Sequence, residues 1–201
     1  MVVCGGYSEP EIVRHVETGR KWGKTGSPLP EDDGVRVFSR VLRLDMAALR
    51  WDAMPVLRTA TYRHVCCTVR GGVVVIGGDD DNYGVSSRVE VLARGADAFA
   101  SLSPLWCDGV EGGVGGAAAL PVKESNSTAG QVLLLGGTGY AGGELPSCVA
   151  LTLGDGEHWQ DLPPMHCCRT NFACVAVAGC IIVAGGSQSP TPEVYDEALN
   201  R

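Results

Sequence analysis

Val132-Leu133-Leu134-Leu135-Gly136-Gly137 is the stretch whose reading decides the fold: four apolar residues in a row, stopped by a glycine pair. A short apolar run bounded by turn residues reads as a buried strand, and glycine at its end lets the chain take positive φ or admit a neighbouring backbone. The same text occurs at Val2-Val3-Cys4-Gly5-Gly6, at Val73-Val74-Val75-Ile76-Gly77-Gly78 and at Ile181-Ile182-Val183-Ala184-Gly185-Gly186. Self-similarity at a spacing of a few tens of residues marks stacked like units.

Outward from the doublets, other residues fall into line. Phe99-Ala100-Ser101-Leu102-Ser103-Pro104-Leu105 and Trp159-Gln160-Asp161-Leu162-Pro163-Pro164-Met165 share an aromatic, a leucine and a proline, and Trp51 to Leu57 is a looser version. Between doublet and aromatic lie further apolar runs at Val41–Leu44, Val89–Leu92, Cys148–Leu153 and Glu193–Asp196. Another run precedes the last doublet, from Asn171 to Val177 after Arg169. No stretch sustains helical periodicity between capping signals. Runs of Val, Ile and Leu punctuated by Gly, Asp, Asn and Pro predict all-β structure built from four-stranded antiparallel meanders. In such a meander the aromatic on the last strand fills space between units, and the proline after it ends the pairing at an edge.

This pattern resembles the kelch repeat of β-propeller proteins. The residues behind the resemblance are Arg169 before a first strand, the doublets after second strands, Tyr195-Asp196 on a third, and Trp159-x-x-Leu162-x-Pro164-Met165 on a fourth. It spans nearly the whole chain, most closely from Gln131 to Asp196. Phe99 in place of Trp and Thr61 at the Arg169 position depart from it. The resemblance implies an incomplete kelch-type propeller of about three and a half blades. With strands lettered A to D and the doublet ending B, the blades are 1–57 (BCD), 58–105, 106–165 and 166–201 (ABC). The expected framework is Gly5, Gly6, Gly77, Gly78, Gly136, Gly137, Gly185, Gly186, Trp51, Phe99, Trp159, Arg169 and Tyr195. A four-bladed ring is the rival, but it leaves a B and a C strand over as bare edges.

Charge narrows the function classes. Residues 1–70 hold 11 Lys/Arg against 8 Asp/Glu, net +3, and the remainder 5 against 15, net −10. A nucleic-acid partner would ask for a basic face, so none is expected. No apolar run approaches the ~18 residues that span a bilayer, so no membrane partner is expected either. Met1–Gly6 lacks a signal-peptide layout. Nine cysteines, five of them in strand-like runs, suit a reducing compartment, and the expected location is cytoplasmic.

Chemistry is sought and mostly not found. His64-Val65-Cys66-Cys67 and His166-Cys167-Cys168 bring soft ligands together without Cys-x-x-Cys spacing, and adjacent strand residues point to opposite faces. Asp79-Asp80-Asp81-Asn82 lacks EF-hand spacing and reads as a solvated turn that could meet a partner. Gly112-Gly113-Val114-Gly115-Gly116 lacks the Lys-Ser/Thr ending of a phosphate loop. No metal site, cofactor or catalytic residue is expected. The alternative is a propeller enzyme: copper oxidation of the galactose oxidase type, or a metabolic kelch enzyme such as an epimerase.

Strand alternation puts B–C and D–A connections on one rim and the A–B and C–D turns on the other. The A–B links at Arg70-Gly71-Gly72 and Ala178-Gly179-Cys180 are tight. The long segments Tyr7–Phe38 (B–C) and Trp106–Gly130 (D–A), with Asp79–Ser87 and Thr138–Ser147, fall on the first rim. Loops on a rigid scaffold are where recognition residues gather. The expected partner-binding residues are therefore Arg20, Lys21, Trp22 and Lys24, with Asp79, Asp80, Asp81 and Trp106, and the expected partner is a protein. The kelch resemblance also implies roles such as substrate recognition for a cullin-type ubiquitin ligase or cytoskeletal scaffolding.

Overall fold

Antiparallel strands account for the regular structure of the chain, and no helix occurs among the described residues. The computed structural model describes residues 2–8, 36–80, 84–107, 110–122, 130–154, 156–187 and 191–196. Four sheets follow one another along the sequence. The first holds β1 (Val2–Ser8), β2 (Arg36–Asp45) and β3 (Arg50–Ala53). The second holds β4 (Val65–Val69), β5 (Gly72–Ile76), β6 (Val89–Leu92) and β7 (Ala100–Ser101). Next come the short strands β8 (Trp106–Cys107), β9 (Val110–Glu111) and β10 (Val114–Gly115). The third sheet is β11 (Ala118–Val122), β12 (Gln131–Leu135), β14 (Cys148–Thr152) and β15 (His158–Leu162), with the short β13 (Thr138–Gly139) paired to β10. The fourth is β16 (Ala173–Val177), β17 (Cys180–Ala184) and β18 (Glu193–Asp196). Each of the four is an up-and-down meander with neighbours in chain order.

Local chemistry explains the hairpins. Arg70 and Gly71 both have positive φ (53° and 76°), as do Ala178 and Gly179 (52° and 81°). Two residues at positive φ make the I′ turn whose twist matches flanking strands. The doublets behave alike in three sheets: Gly77-Gly78, Gly136-Gly137 and Gly185-Gly186 each follow a second strand with both φ values positive. Gly5-Gly6 differs. It lies within β1, where the register shifts between Cys4 and Gly6: Gly5 stands against both Ser39 and Arg40, so the bulge is on β2 and pairing continues to Ser8.

Two expected boundaries move. Tyr7 and Ser8 pair with Val37 and Arg36, so the long first connection is 9–35 and not 7–38. The segment 106–130 is no plain loop: it contains β8, β9, β10 and β11, because Ala118–Val122 supplies the first strand of the third sheet. The remaining part, 123–130, joins a first to a second strand in the chain order of the third sheet.

The core lies between sheets. Alternate residues of β5 part company, as the two-residue period of a strand requires. Val73 and Val75 join Val41, Leu57, Leu92 and Phe99 between the first and second sheets. Val74 and Ile76 join Val132, Leu134, Val149 and Leu151 between the second and third. Leu133 and Leu135 meet Ile181 and Val183 between the third and fourth. Each such side chain contributes about 1.5–3 kcal/mol on burial. Phe99 and Trp159 pack toward the sheet before their own. Trp51 does not fill space between two sheets: it is 47% exposed, on the side of the first sheet that faces away from the second.

Hydrogen bonds repeat across the sheet junctions. The amide of Gly78 donates to Val114 O and that of Gly137 to Arg169 O, both at 2.7 Å. The amide of Asn171 donates to Gly116 O (2.8 Å) and that of Gly116 to Arg63 O (2.7 Å). Accordingly β11 lies against both β4 and β16, so the first strands of three sheets stand side by side.

Candidate functional site

The residues entering those three first strands form a polar cluster at one end of the molecule. Arg63, Gly116 and Asn171 each stand two places before their strand and each has positive φ (52°, 66° and 53°). Positive φ is uncommon for Arg and Asn, and here it turns three successive chain entries the same way. The cluster is completed by the residues after the doublets, Asp79 and Thr138.

Arg63 Nη1 donates to Asp79 Oδ2 at 2.8 Å, and Nη2 to Thr138 Oγ1 at 3.2 Å. The Thr138 hydroxyl donates to Thr170 Oγ1 (3.2 Å), whose own hydroxyl reaches Gly116 O (3.3 Å). Three consecutive sheets are thereby tied through side chains. Asp79 is buried, its amide and carbonyl are bridged to Tyr62, and its Oδ1 has no partner among the described residues. Burial pushes the Asp79 carboxyl above the usual range, against the pull of Arg63. A Cβ on Gly115 would stand 2.8 Å from that oxygen, so glycine is what lets the carboxylate sit there.

Beside the cluster, on the same end, a cavity of about 300 Å³ lies under the 138–147 connection. Leu105, Val114, Leu134, Leu145 and Val149 line it, and Tyr140 stands at its edge, 84% exposed. Hydrogen-bond donors, an apolar hollow and an exposed phenol ring thus share one surface. Among the described residues no three His, Cys, Asp or Glu side chains gather to hold a metal, and no helix is long and apolar enough to cross a membrane.

The expected partner-binding residues are dispersed. Arg20, Lys21, Trp22, Lys24 and Asp81 lie outside the described residues. Asp79 is corrected from solvated turn to buried ion-pair partner, because the sheet junction closes over it. Asp80 is half-buried and accepts from the Gly84 amide (3.2 Å). Trp106 is 48% exposed on β8, which lies by β15. Arg63, Thr138, Thr170, Asn171 and Tyr140 were not singled out in sequence. The available signal was positional: Arg63 and Asn171 stand at the same distance before a first strand.

No family model and no curated protein matches this chain. Among solved structures it is similar to one titled "Structure of YjhT", with a TM-score of 0.66 at 15% identity, over 92% of this chain and 55% of that one. The likeness is one of fold, and the chain spans about half the length of that protein.

Proposed function

We propose that the chain is a run of consecutive blades of a kelch-type β-propeller, acting in the cytoplasm as a non-enzymatic module that binds a protein partner through one rim. Support for the radial arrangement comes from the adjacency of β4, β11 and β16 and from the amide bonds repeated at successive junctions. Cys67, Cys167, Cys168, Cys174 and Cys180 form no disulfide, which suits a reducing compartment.

The observation that carries the binding reading is convergence. The segments entering first strands and those leaving second strands meet at one end, with the Arg63–Thr138–Thr170 network, the cavity and Tyr140 together. Aromatic and arginine side chains around a hollow are the usual anchors of a protein interface. The test is to isolate a partner on the immobilised chain, purify it, and titrate it against Tyr140→Ser and against a chain with 9–35 replaced by a short Gly-Ser link. Affinity should fall about tenfold or more in at least one variant, with melting unchanged. Unaltered affinity in both would refute rim binding, and turnover dependent on a bound metal would favour the enzyme.

A further inference from the structure

The place that Arg169 fills in the fourth sheet recurs in two other sheets with different contents. Two residues before Arg63, Gly116 and Asn171 stand Thr61, Val114 and Arg169. Two places before each doublet, the paired residues are Val75 with Glu90, Leu134 with Val149, and Val183 with Glu193. In the fourth sheet the Arg169 guanidinium holds Glu193 and donates to Gly185 O at 2.7 Å. In the second, the shorter Thr61 donates to Gly77 O (3.3 Å), and the space left beside Glu90 is about 10 Å³, one water at most. In the third, valine stands for both members of the ion pair, and the place is the cavity of about 300 Å³ under the 138–147 connection. Residue choice inside the array makes this space. Four of its walls, Leu105, Val114, Leu134 and Val149, are buried in the core between the second and third sheets. Among the described residues no Asp, Glu, Lys, Arg or His lines it. Val114 brings no donor to Gly136 O, the equivalent of Gly185 O, and among the described residues no other group donates to that carbonyl.

We propose that this cavity binds a small uncharged aromatic molecule with one hydrogen-bond donor, of the size and kind of indole. The ring takes the place of the apolar stem of Arg169, and its N–H replaces Nη1 by donating to Gly136 O. An apolar cavity of about 150 Å³ holds a benzene ring, so about twice that volume accommodates two fused rings. Charge is excluded because a carboxylate or ammonium would lose its water with no counter-ion in the walls. Apolar walls with one placed backbone acceptor are the usual make-up of a small-molecule pocket, and the volume is at the lower end of the range, about 300–1,000 Å³. A free molecule is the occupant, and not a partner's side chain, because buried walls take the ligand up beneath the surface. The site goes beyond rim binding of a protein and does not require it.

The probe is indole, beside benzothiophene, which has the same shape without the donor, and indole-3-acetate, which adds a charge. Isothermal titration of the full chain should show saturable indole binding with Kd about 10 µM to 1 mM. Benzothiophene and indole-3-acetate should bind about tenfold more weakly or worse. Methyl resonances of Leu134, Leu145 and Val149 should move with indole. The paired variant Val114→Arg with Val149→Glu, which rebuilds the ion pair of the fourth sheet in this place, should lose binding. If that variant does not fold, the three ligands and the methyl map on the unaltered chain decide. No saturable binding, equal binding of the three ligands, or methyl shifts confined to Ile181 and Val183 would overturn the proposal. So would indole binding that the folded paired variant leaves unchanged. Rim binding is read separately, from the protein partner and Tyr140→Ser, so either reading can fail alone.

Discussion

Replacing Arg169 by methionine tests how the fourth sheet is held. The side chain is wholly buried. Its Nε and Nη2 donate to Glu193 Oε1 (3.2 and 2.9 Å), Nη1 donates to Gly185 O (2.7 Å), and Nη2 also reaches Thr191 O. Methionine keeps much of the apolar stem, so the loss is the charge and its donors. Glu193 and the Gly185 carbonyl would each lose a donor. Deleting one partner of a buried ion pair costs about 3–5 kcal/mol. Glu193 keeps some solvent contact and still accepts from the His166 amide (2.6 Å) and the Cys167 amide (3.2 Å), which sets the expectation at the lower end, about 3 kcal/mol. That is a large share of the ~5–15 kcal/mol that stabilises a typical domain.

The pH dependence supplies a second readout. Burial works against the Glu193 charge, but hydrogen bonds from the His166 amide, Arg169 and the Cys167 amide outweigh it and hold its carboxyl below the usual value. A lowered folded value means a stabilising contribution that is fully present above the unfolded value of about 4.3 and lost as pH falls through the folded one. Urea unfolding of wild type and Arg169→Met should therefore differ by about 3 kcal/mol at neutral pH, and the gap should narrow in acid. Adding Glu193→Gln to the variant should recover part of the loss. A difference below about 1 kcal/mol at pH 7, or one that ignores pH, would refute this account of the junction.

At equivalent glycines the next sheet decides the cost. A Cβ at Gly77 would lie 2.2 Å from Val114 O and one at Gly136 2.6 Å from Arg169 O, while one at Gly185 meets nothing within 4 Å. Gly185→Ala should cost about 1–2 kcal/mol for its positive φ, and the other two clearly more in the same unfolding assay. Trp159→Phe should be nearly neutral, within about 1.5 kcal/mol, because it removes an indole N–H that has no partner among the described residues and puts a ring like that of Phe99 between the second and third sheets; a loss near that of Trp159→Ala, about 3–5 kcal/mol, would refute this. Burial pushes the Cys67 thiol up to about 12, so mass spectrometry after alkylation at pH 8 should find it unmodified while exposed Cys168 is labelled. Asp79 runs opposite to Glu193: its raised folded value favours folding in acid, a contribution lost as pH rises through it, so Asp79→Asn should flatten that part of the stability curve.

The strands of the second to fourth sheets were legible because their information is local. Val89–Leu92 and Glu193–Asp196 are read from the text with the bounds they have in space, and the I′ turns at Arg70-Gly71 and Ala178-Gly179 sit where glycine allows positive φ. Ala118–Val122 was hidden. Its alanines and proline carry little β signal, and pairing with β12 makes it a strand. The first doublet shared its letters with the others but not their geometry, since pairing continued through Tyr7 and Ser8, opposite a bulge of β2, where the other doublets end a strand.

Sequence alone determined the all-β class and the order of strands within each meander, because a two-residue apolar period and positive-φ turns act between near neighbours. Tertiary structure alone decided that Asp79 is buried beside Arg63, and that Arg63, Thr138 and Thr170 meet. Those relations join residues tens of positions apart, and they arise from how one sheet stacks on the next.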